Sequence, residues 1–472
     1  MNKIALCFIL LFLTSWLHAQ KYWTLEECVN TGLKNNITLK QQELNKESAK
    51  ADMFQSRMNM LPSVNASATN NWNIGFAIDP VTNASTRDAT FRSNSVGLSA
   101  SWTLFNGFQN MNNYRLQRTN TQAIDQDVLN TKNNMALQIC NAYLQVLLSM
   151  ELAESRRLQT QATQLQVNKQ EKMYELGGSS RTKLLQLRAQ LSNEELQAVL
   201  AENQLDQAYL TLWQSMNILP DTVNKVKKPE VDMTKMQDEA RTADQVFEAY
   251  AQNSPELKAA ELRTRSAEIG TSIAVGGRSP RLSLGAGLNS FYTTQNITPT
   301  SFETNWVPFG YDANRNPSGL FTPVSYITGT KTVPFSEQFD KNLGKNIGLQ
   351  LSIPIFNGWQ VNNNIQKQRI NQMNAGLNEQ QVRNTTYKNI NQAYLDFKSA
   401  LKKYEFNVQN LDANKESAAL ADAQFSLGAI GMNDYLQTRN AYLQAETNFL
   451  QAKYELQFRR KVLDFYLGKP LY

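Results

Sequence analysis

Residues 96–107 read Val96-Gly97-Leu98-Ser99-Ala100-Ser101-Trp102-Thr103-Leu104-Phe105-Asn106-Gly107, and residues 347–358 read Ile347-Gly348-Leu349-Gln350-Leu351-Ser352-Ile353-Pro354-Ile355-Phe356-Asn357-Gly358. In both, apolar side chains alternate with small or polar ones, and both end on Phe-Asn-Gly. A period of two places the two classes on opposite faces of a strand. The stretches stand at an offset of 251, and the same offset matches Ala142-Tyr143-Leu144 with Ala393-Tyr394-Leu395 and Leu176-Gly177 with Leu427-Gly428. Upstream the offset is 218: Asn35-Asn36-Ile37-Thr38-Leu39-Lys40 matches Asn253-Ser254-Pro255-Glu256-Leu257-Lys258, and Pro62 matches Pro280. A repeat of such long period implies two structurally equivalent halves. The surplus of the second half falls between Pro280 and Phe356, so one surface loop, about Thr293 to Lys345, is expected to have grown.

Each half predicts the same order of elements. A helical stretch from Thr24 to Met60 breaks near Asn35-Asn36, and its counterpart from Thr242 to Val275 breaks at Asn253-Ser254-Pro255. Period two follows. Val64, Ala66, Ala68, Trp72, Ile74, Phe76 and Ile78 hold even positions with Asn70 as the exception, then Val96 to Leu104 do the same. The second half offers Leu282, Leu284, Ala286 and Leu288, then Ile347 through Ile355, with Pro354 where the fourth strand leaves its sheet because proline cannot donate to a ladder. After each strand pair the spacing becomes a heptad seam: Ile390, Tyr394, Phe397, Leu401, Tyr404, Val408 and Leu411 in one half, and Leu184, Leu187, Leu191, Ala198, Ala201, Leu205, Ala208 and Leu212 in the other, interrupted at Glu194. Leu176-Gly177-Gly178-Ser179-Ser180 and Leu427-Gly428-Ala429-Ile430-Gly431 read as helical-hairpin tips, with glycine taking the left-handed stop. The long leg, Phe108 to Glu175, would reach roughly 100 Å at 1.5 Å per residue.

Composition supports long helices and excludes much chemistry. Of 472 residues only 21 are Gly and 13 Pro, while 50 Asn and 40 Gln stand beside 47 Lys and Arg and 41 Asp and Glu. The single histidine, His18, falls within Met1 to Gln20, which reads as a secretory signal: Lys3, an apolar run from Ile4 to Leu17, and a small-residue exit. That run is shorter than the roughly 20 residues a spanning helix needs. Without imidazole there is no Ser-His-Asp triad, no His-ligated zinc and no base titrating near neutrality. Gly177 to Lys183 lacks the order of a phosphate loop and joins helix to helix; Glu26-Glu27 and Glu194-Glu195 point to different helix faces. Hence no enzyme, cofactor or metal site is expected. A net charge of +6, with Lys225, Lys227 and Lys228 as a short cluster, is too mild for nucleic acid. Cys28 and Cys140 could pair or remain free packing residues. The expected organisation is a signal peptide at 1–20, a first repeat at 21–218, a linker at 219–241 and a second repeat at 242–472.

The strands decide the environment. One apolar face bearing Trp72 and Trp102 and one face of small polar residues suit a wall between lipid and water. Expected lipid-facing positions are Trp72, Ile74, Phe76, Leu98, Trp102, Leu284, Leu349 and Leu351. An open sheet edge in lipid costs several kcal/mol per unpaired backbone group. Four strands cannot close a barrel, so several copies must share one, as a dimer of eight strands or a trimer of twelve. The competing reading is a periplasmic coiled-coil adaptor or scaffold, which leaves the Trp-bearing strands unexplained.

Leader, duplication, two strand pairs, Phe-Asn-Gly exits and Gly-tipped hairpins together resemble the TolC family of outer-membrane efflux proteins over essentially the whole chain after the leader. The resemblance implies a mainly α fold with transmembrane β: a homotrimer whose twelve-stranded barrel sits in the outer membrane of a Gram-negative bacterium and continues as a periplasmic helical tunnel. It implies an exit duct of a tripartite efflux or type I secretion system, conducting passively, with a periplasmic adaptor and an inner-membrane RND pump or ABC transporter as partners. The adaptor would dock on Leu176, Gly177, Leu427 and Gly428. The gate would lie near Asp434, with Gln437 where a second carboxylate can occur and Lys183 in the first half. The long insert, with Trp306, Phe309, Tyr311 and Phe321, would be an extracellular loop.

Overall fold

A computed structural model describes residues 22–78, 85–220, 225–228 and 242–469. The leader at 1–20, with Cys7 and His18, lies outside these residues, as does most of the 219–241 linker. The chain forms two compact units, each assembled from separate segments: one from the chain up to Ala49 with Thr119–Arg265 and Met373 onward, the other from Lys50–Arg118 and Ser266–Gln372.

Eight helices repeat in pairs. Helices α1 (Leu25–Asn35) and α2 (Ile37–Met58) recur, at the smaller of the two sequence offsets, as α5 (Ala243–Asn253) and α6 (Pro255–Gly276). Helices α3 (Gln109–Glu175) and α4 (Arg181–Ser215) recur, at the larger offset, as α8 (Gln360–Ser426) and α9 (Met432–Tyr466). The caps repeat too. Thr24 accepts from the Glu27 amide while the Glu27 carboxylate accepts from the Thr24 amide at 3.0 Å, and Thr242 with Gln245 makes the same reciprocal box. The breaks fall at Asn36 and Ser254, both extended, where the side chains accept from the amides of Leu39 and Leu257 to start the next helix.

The helical unit buries the seams. Leu184, Leu187, Leu191, Ala208 and Leu212 are buried on α4, and Ile390 and Phe397 on α8. One core gathers Cys28, Ile139, Cys140, Tyr143, Val146, Leu147, Leu212 and Met216; a second, near the hairpin tips, gathers Val167, Leu184, Leu187, Ala421, Met432 and Tyr435. Cys28 and Cys140 are both buried and form no disulfide, and burial pushes the Cys140 thiol up to about 11. Part of the linker is structured. A two-residue strand β4 (Lys225–Val226) pairs in parallel with β1 (Tyr22–Trp23), Tyr143 Oη donates to the Lys227 carbonyl at 2.5 Å, and Lys228 pairs with Glu151.

The second unit holds the sheet. Strands β2 (Ser63–Ile78), β3 (Ser85–Phe105), β5 (Arg281–Thr293) and β8 (Gly344–Ser352) form one antiparallel sheet in the order β2-β3-β5-β8. Two expectations are corrected. The fourth strand ends at Ser352, ahead of Pro354, so Ile353 and Ile355 lie beyond it. The insert read as a loop is a second hairpin, β6 (Ile297–Pro308) with β7 (Phe321–Thr332), followed by a short helix α7 (Phe335–Lys341). Buried Gln338 of α7 fastens its base: the amide donates to the carbonyls of Thr293 and Val333 and accepts from the Thr293 amide.

Candidate functional site

Pairing register sorts the sheet into two faces. One carries the rows Val64-Ala100-Ala286-Ile347 and Trp102-Leu284-Leu349; the other carries Ser101-Gly285-Gly348, Ser99-Gly287-Asn346 and Gly97-Asn289. On the first face Trp72, Ile74, Phe76, Leu98, Trp102, Leu349 and Leu351 are exposed, Ile74 at 81%, while Leu284 is half-buried between its neighbours. Water does not tolerate such a contiguous apolar surface cheaply, which marks it as a contact surface. Arg92 lies over the Trp72 ring at 5.8 Å, and Trp102 Nε1 donates to the Met60 carbonyl at 2.8 Å. The opposite face is neutral over the rows from Ser283 to Asn289, with Arg281 at its foot donating to Thr103. Both outer strands, β2 and β8, have one ladder edge unpaired within the sheet.

The two tips share a backbone and differ in chemistry. After α3, the Gly178 amide bonds the Met173 carbonyl and the Gly177 amide that of Tyr174; after α8, Ala429 bonds Gln424 and Gly428 bonds Phe425. This double bond is the Schellman stop, and it requires the positive φ that Gly177 (+75°) and Gly428 (+71°) supply. Leu176 and Leu427 project into solvent at 87% and 84% exposure. Ser180 caps α4 by accepting from the Lys183 amide, whereas Gly431 leads α9 with no side-chain cap. Asp434 in the first turn of α9 is the carboxylate there, a placement the helix dipole favours. Asp434 and Gln437 are both exposed and one helical turn apart; Lys183 is exposed on the first turn of α4.

Behind the tips lies a polar network that the sequence showed only as the break at Glu194. Glu194, at 5% exposure, accepts from Gln190 at 2.8 Å, from Gln159 at 3.2 Å and from the Thr163 hydroxyl. Arg439, also buried, donates to Thr163 at 2.9 Å and to the Tyr435 hydroxyl at 2.5 Å, and that hydroxyl donates to Gln166 at 2.7 Å. Burial pushes the Tyr435 hydroxyl above its ordinary range against the pull of Arg439, which keeps it a neutral donor. Phe425 stacks on Tyr435 at 4.4 Å. The network thus joins α3, α4 and α9, with α8 held by the ring. Among the described residues no group of three metal-ligating side chains converges, and no helix is long and apolar enough to cross a membrane.

Such a sheet, in one chain with long Gly-tipped hairpins, defines an outer-membrane export channel. The outer membrane efflux protein family model matches residues 29–217 and 246–469, so the chain belongs to that family and to the outer membrane. No curated protein sequence matches it. Among solved structures it is similar to the transmembrane channel CusC, 17% identical with a TM-score of 0.76 over 96% of both chains. It is also similar to the CmeC outer membrane channel of Campylobacter jejuni, 18% identical, TM-score 0.71, over 94% of this chain and 85% of that one. The outer membrane protein VceC of Vibrio cholerae is 14% identical, TM-score 0.69, over 94% of both. At these identities the likeness establishes the fold.

Proposed function

We propose that three copies complete one twelve-stranded barrel, and that the hairpins continue it as a periplasmic tunnel: the passive exit duct of a tripartite efflux or type I secretion system. The observation that carries this reading is the four-stranded sheet with two unpaired edges and one exposed apolar face. In lipid those edges must be closed, and closure by further copies leaves the neutral small-residue face lining the bore. The mass of the purified protein in detergent tests it: three chains per particle that conduct ions in a planar bilayer are expected, and a monodisperse, non-conducting monomer would refute it.

The exposed Leu176 and Leu427 beside their glycine stops offer apolar knobs for a periplasmic adaptor, which an inner-membrane RND pump or ABC transporter would energise. Three Asp434 carboxylates around one axis would concentrate cations, as charged rings do in other pores. Asp434→Asn is therefore expected to weaken block by divalent cations in single-channel records, and unchanged block would remove Asp434 from the gate. The β6–β7 hairpin, fastened by Gln338 to the end of β5, would stand outside the cell.

A further inference from the structure

We infer that β8 of one copy pairs with β2 of the next in a fixed register, Gly344–Ser352 against Ser67–Gly75, with Gln350 opposite Thr69. The inference rests on the shared barrel and supplies its missing seam. Within one chain the first repeat meets the second through β3 and β5, with Gly97 opposite Asn289, Ala100 opposite Ala286 and Ser101 opposite Gly285. If the repeats alternate around a closed ring, the second repeat must meet the next first repeat in the same way. Moving the β3 side forward by the larger repeat offset and the β5 side back by the smaller one converts each internal pair into a pair between copies.

The result is consistent at three levels. Gly97 opposite Asn289 becomes Gly348 opposite Asn71, the same two residue types. Faces agree: Ile347 and Leu351 meet Trp72 and Ala68 on the apolar side, while Asn346 and Ser352 meet Asn73 and Ser67 on the polar side. A slip of one residue would put every side chain on the wrong face. The lengths agree as well. All nine residues of β8 find partners, and the ladder stops at Gly75, where the β2–β3 register shifts and φ reaches +103°.

The strand exits point the same way. Gly107 is closely covered within the chain: a Cβ there would lie 2.3 Å from the Gly276 carbonyl, and Gln109 donates to the Ile273 carbonyl at 3.0 Å. At its repeat, Gly358, a Cβ would meet nothing within 4 Å among the described residues, and Gln360 is exposed. The same shift places Leu61 of the next copy beside Gly358 and the Gln55 carbonyl of the next copy before Gln360; Met58 falls where the chain itself has Gly276, at which a Cβ would lie 2.5 Å from the Gly107 carbonyl, so the exits between copies must stand wider apart than those within one chain. Leu61 is 56% exposed among the described residues of its own chain.

Cysteine pairs in the full chain test the register. Opposed strand positions have Cβ atoms about 5 Å apart and diagonal ones about 7–8 Å, so mild oxidation should link Thr69→Cys/Gln350→Cys into covalent trimers about tenfold better than Ser67→Cys/Gln350→Cys or Asn71→Cys/Gln350→Cys. Stronger linking of a diagonal pair, or no linking in any, would overturn the register while wild-type trimers in detergent keep the barrel reading intact. Wild-type monomers would instead remove the reading beneath it. Hydrogen exchange on the unmodified trimer gives a check free of substitutions: alternate amides of 67–75 and 344–352 should be protected as strongly as those of β3, and free exchange at these edges would overturn the proposal.

Discussion

Arg188 and Arg439 occupy the same place in the two repeats, yet one lies outside and the other inside. Arg188 is half exposed and pairs with Glu171 on the neighbouring leg; Arg439 is buried and held by Thr163 and Tyr435. At Glu194 the location is kept and the chemistry changes: its counterpart is Ala445, so a buried carboxylate in one repeat is a buried methyl in the other. Repetition of the backbone therefore does not repeat the chemistry, because each hairpin meets a different neighbour. The largest effect should come from Arg439→Leu, which strips a charged donor from a buried network and is expected to cost about 3 kcal/mol, against under about 1 kcal/mol for Arg188→Leu. Thermal unfolding of the two variants by circular dichroism checks this, and equal costs would erase the distinction.

A double substitution sharpens the comparison. Replacing Glu194 and Arg439 together by Leu removes both buried charges, and the double variant should be about 1–3 kcal/mol more stable than the two single losses sum to. Strict additivity would show that Thr163 does not couple them. Next in size is Glu151 of α3, which pairs with Lys228 of the linker. Burial raises the Glu151 carboxyl, but Lys228 and Lys453 outweigh it, and the group titrates below the ordinary value of 4.5. A carboxylate whose folded value is lowered stabilises above its unfolded value and loses that contribution as pH falls through the folded one. Glu151→Gln is expected to cost about 1 kcal/mol at neutral pH, with the difference from wild type shrinking as pH falls below the ordinary value of 4.5 and lost once the folded-state carboxyl protonates. A gap that persists in acid would assign the loss to packing. Smallest is Gly177→Ala against Gly428→Ala. Among the described residues no atom crowds either site, so each should cost only the left-handed penalty of about 1 kcal/mol, equally in both tips.

Much of this was legible because one repeat can be read against the other. The Asn35-Asn36 and Ser254-Pro255 breaks, the Gly tips and the apolar seams each appear twice, and β2, β5 and the long helices follow the periodicities that announce them. What escaped lacks periodicity or locality. In the insert, Pro299, Pro308 and Pro323 read as loop, although Phe302, Trp306 and Pro308 share a face with Ile327, Pro323 and Phe321 across the hairpin. The early half of β3 escaped because Arg92 and Asn94 break the alternation that returns at Val96. Glu194 was visible as a charge in an apolar seam, but its link to Arg439 runs through Thr163 on a third helix, and no local signal ties them.

The charge-free rows between Ser283 and Asn289 carry an electrical consequence. A bore lined there by hydroxyls, amides and bare backbone exerts almost no fixed field, so those rows would not sort potassium from chloride. Arg281 at their foot, repeated around the axis, would add a mild bias toward anions against the pull of the Asp434 ring, readable as a shift of the zero-current voltage toward cation preference in Arg281→Gln across a salt gradient.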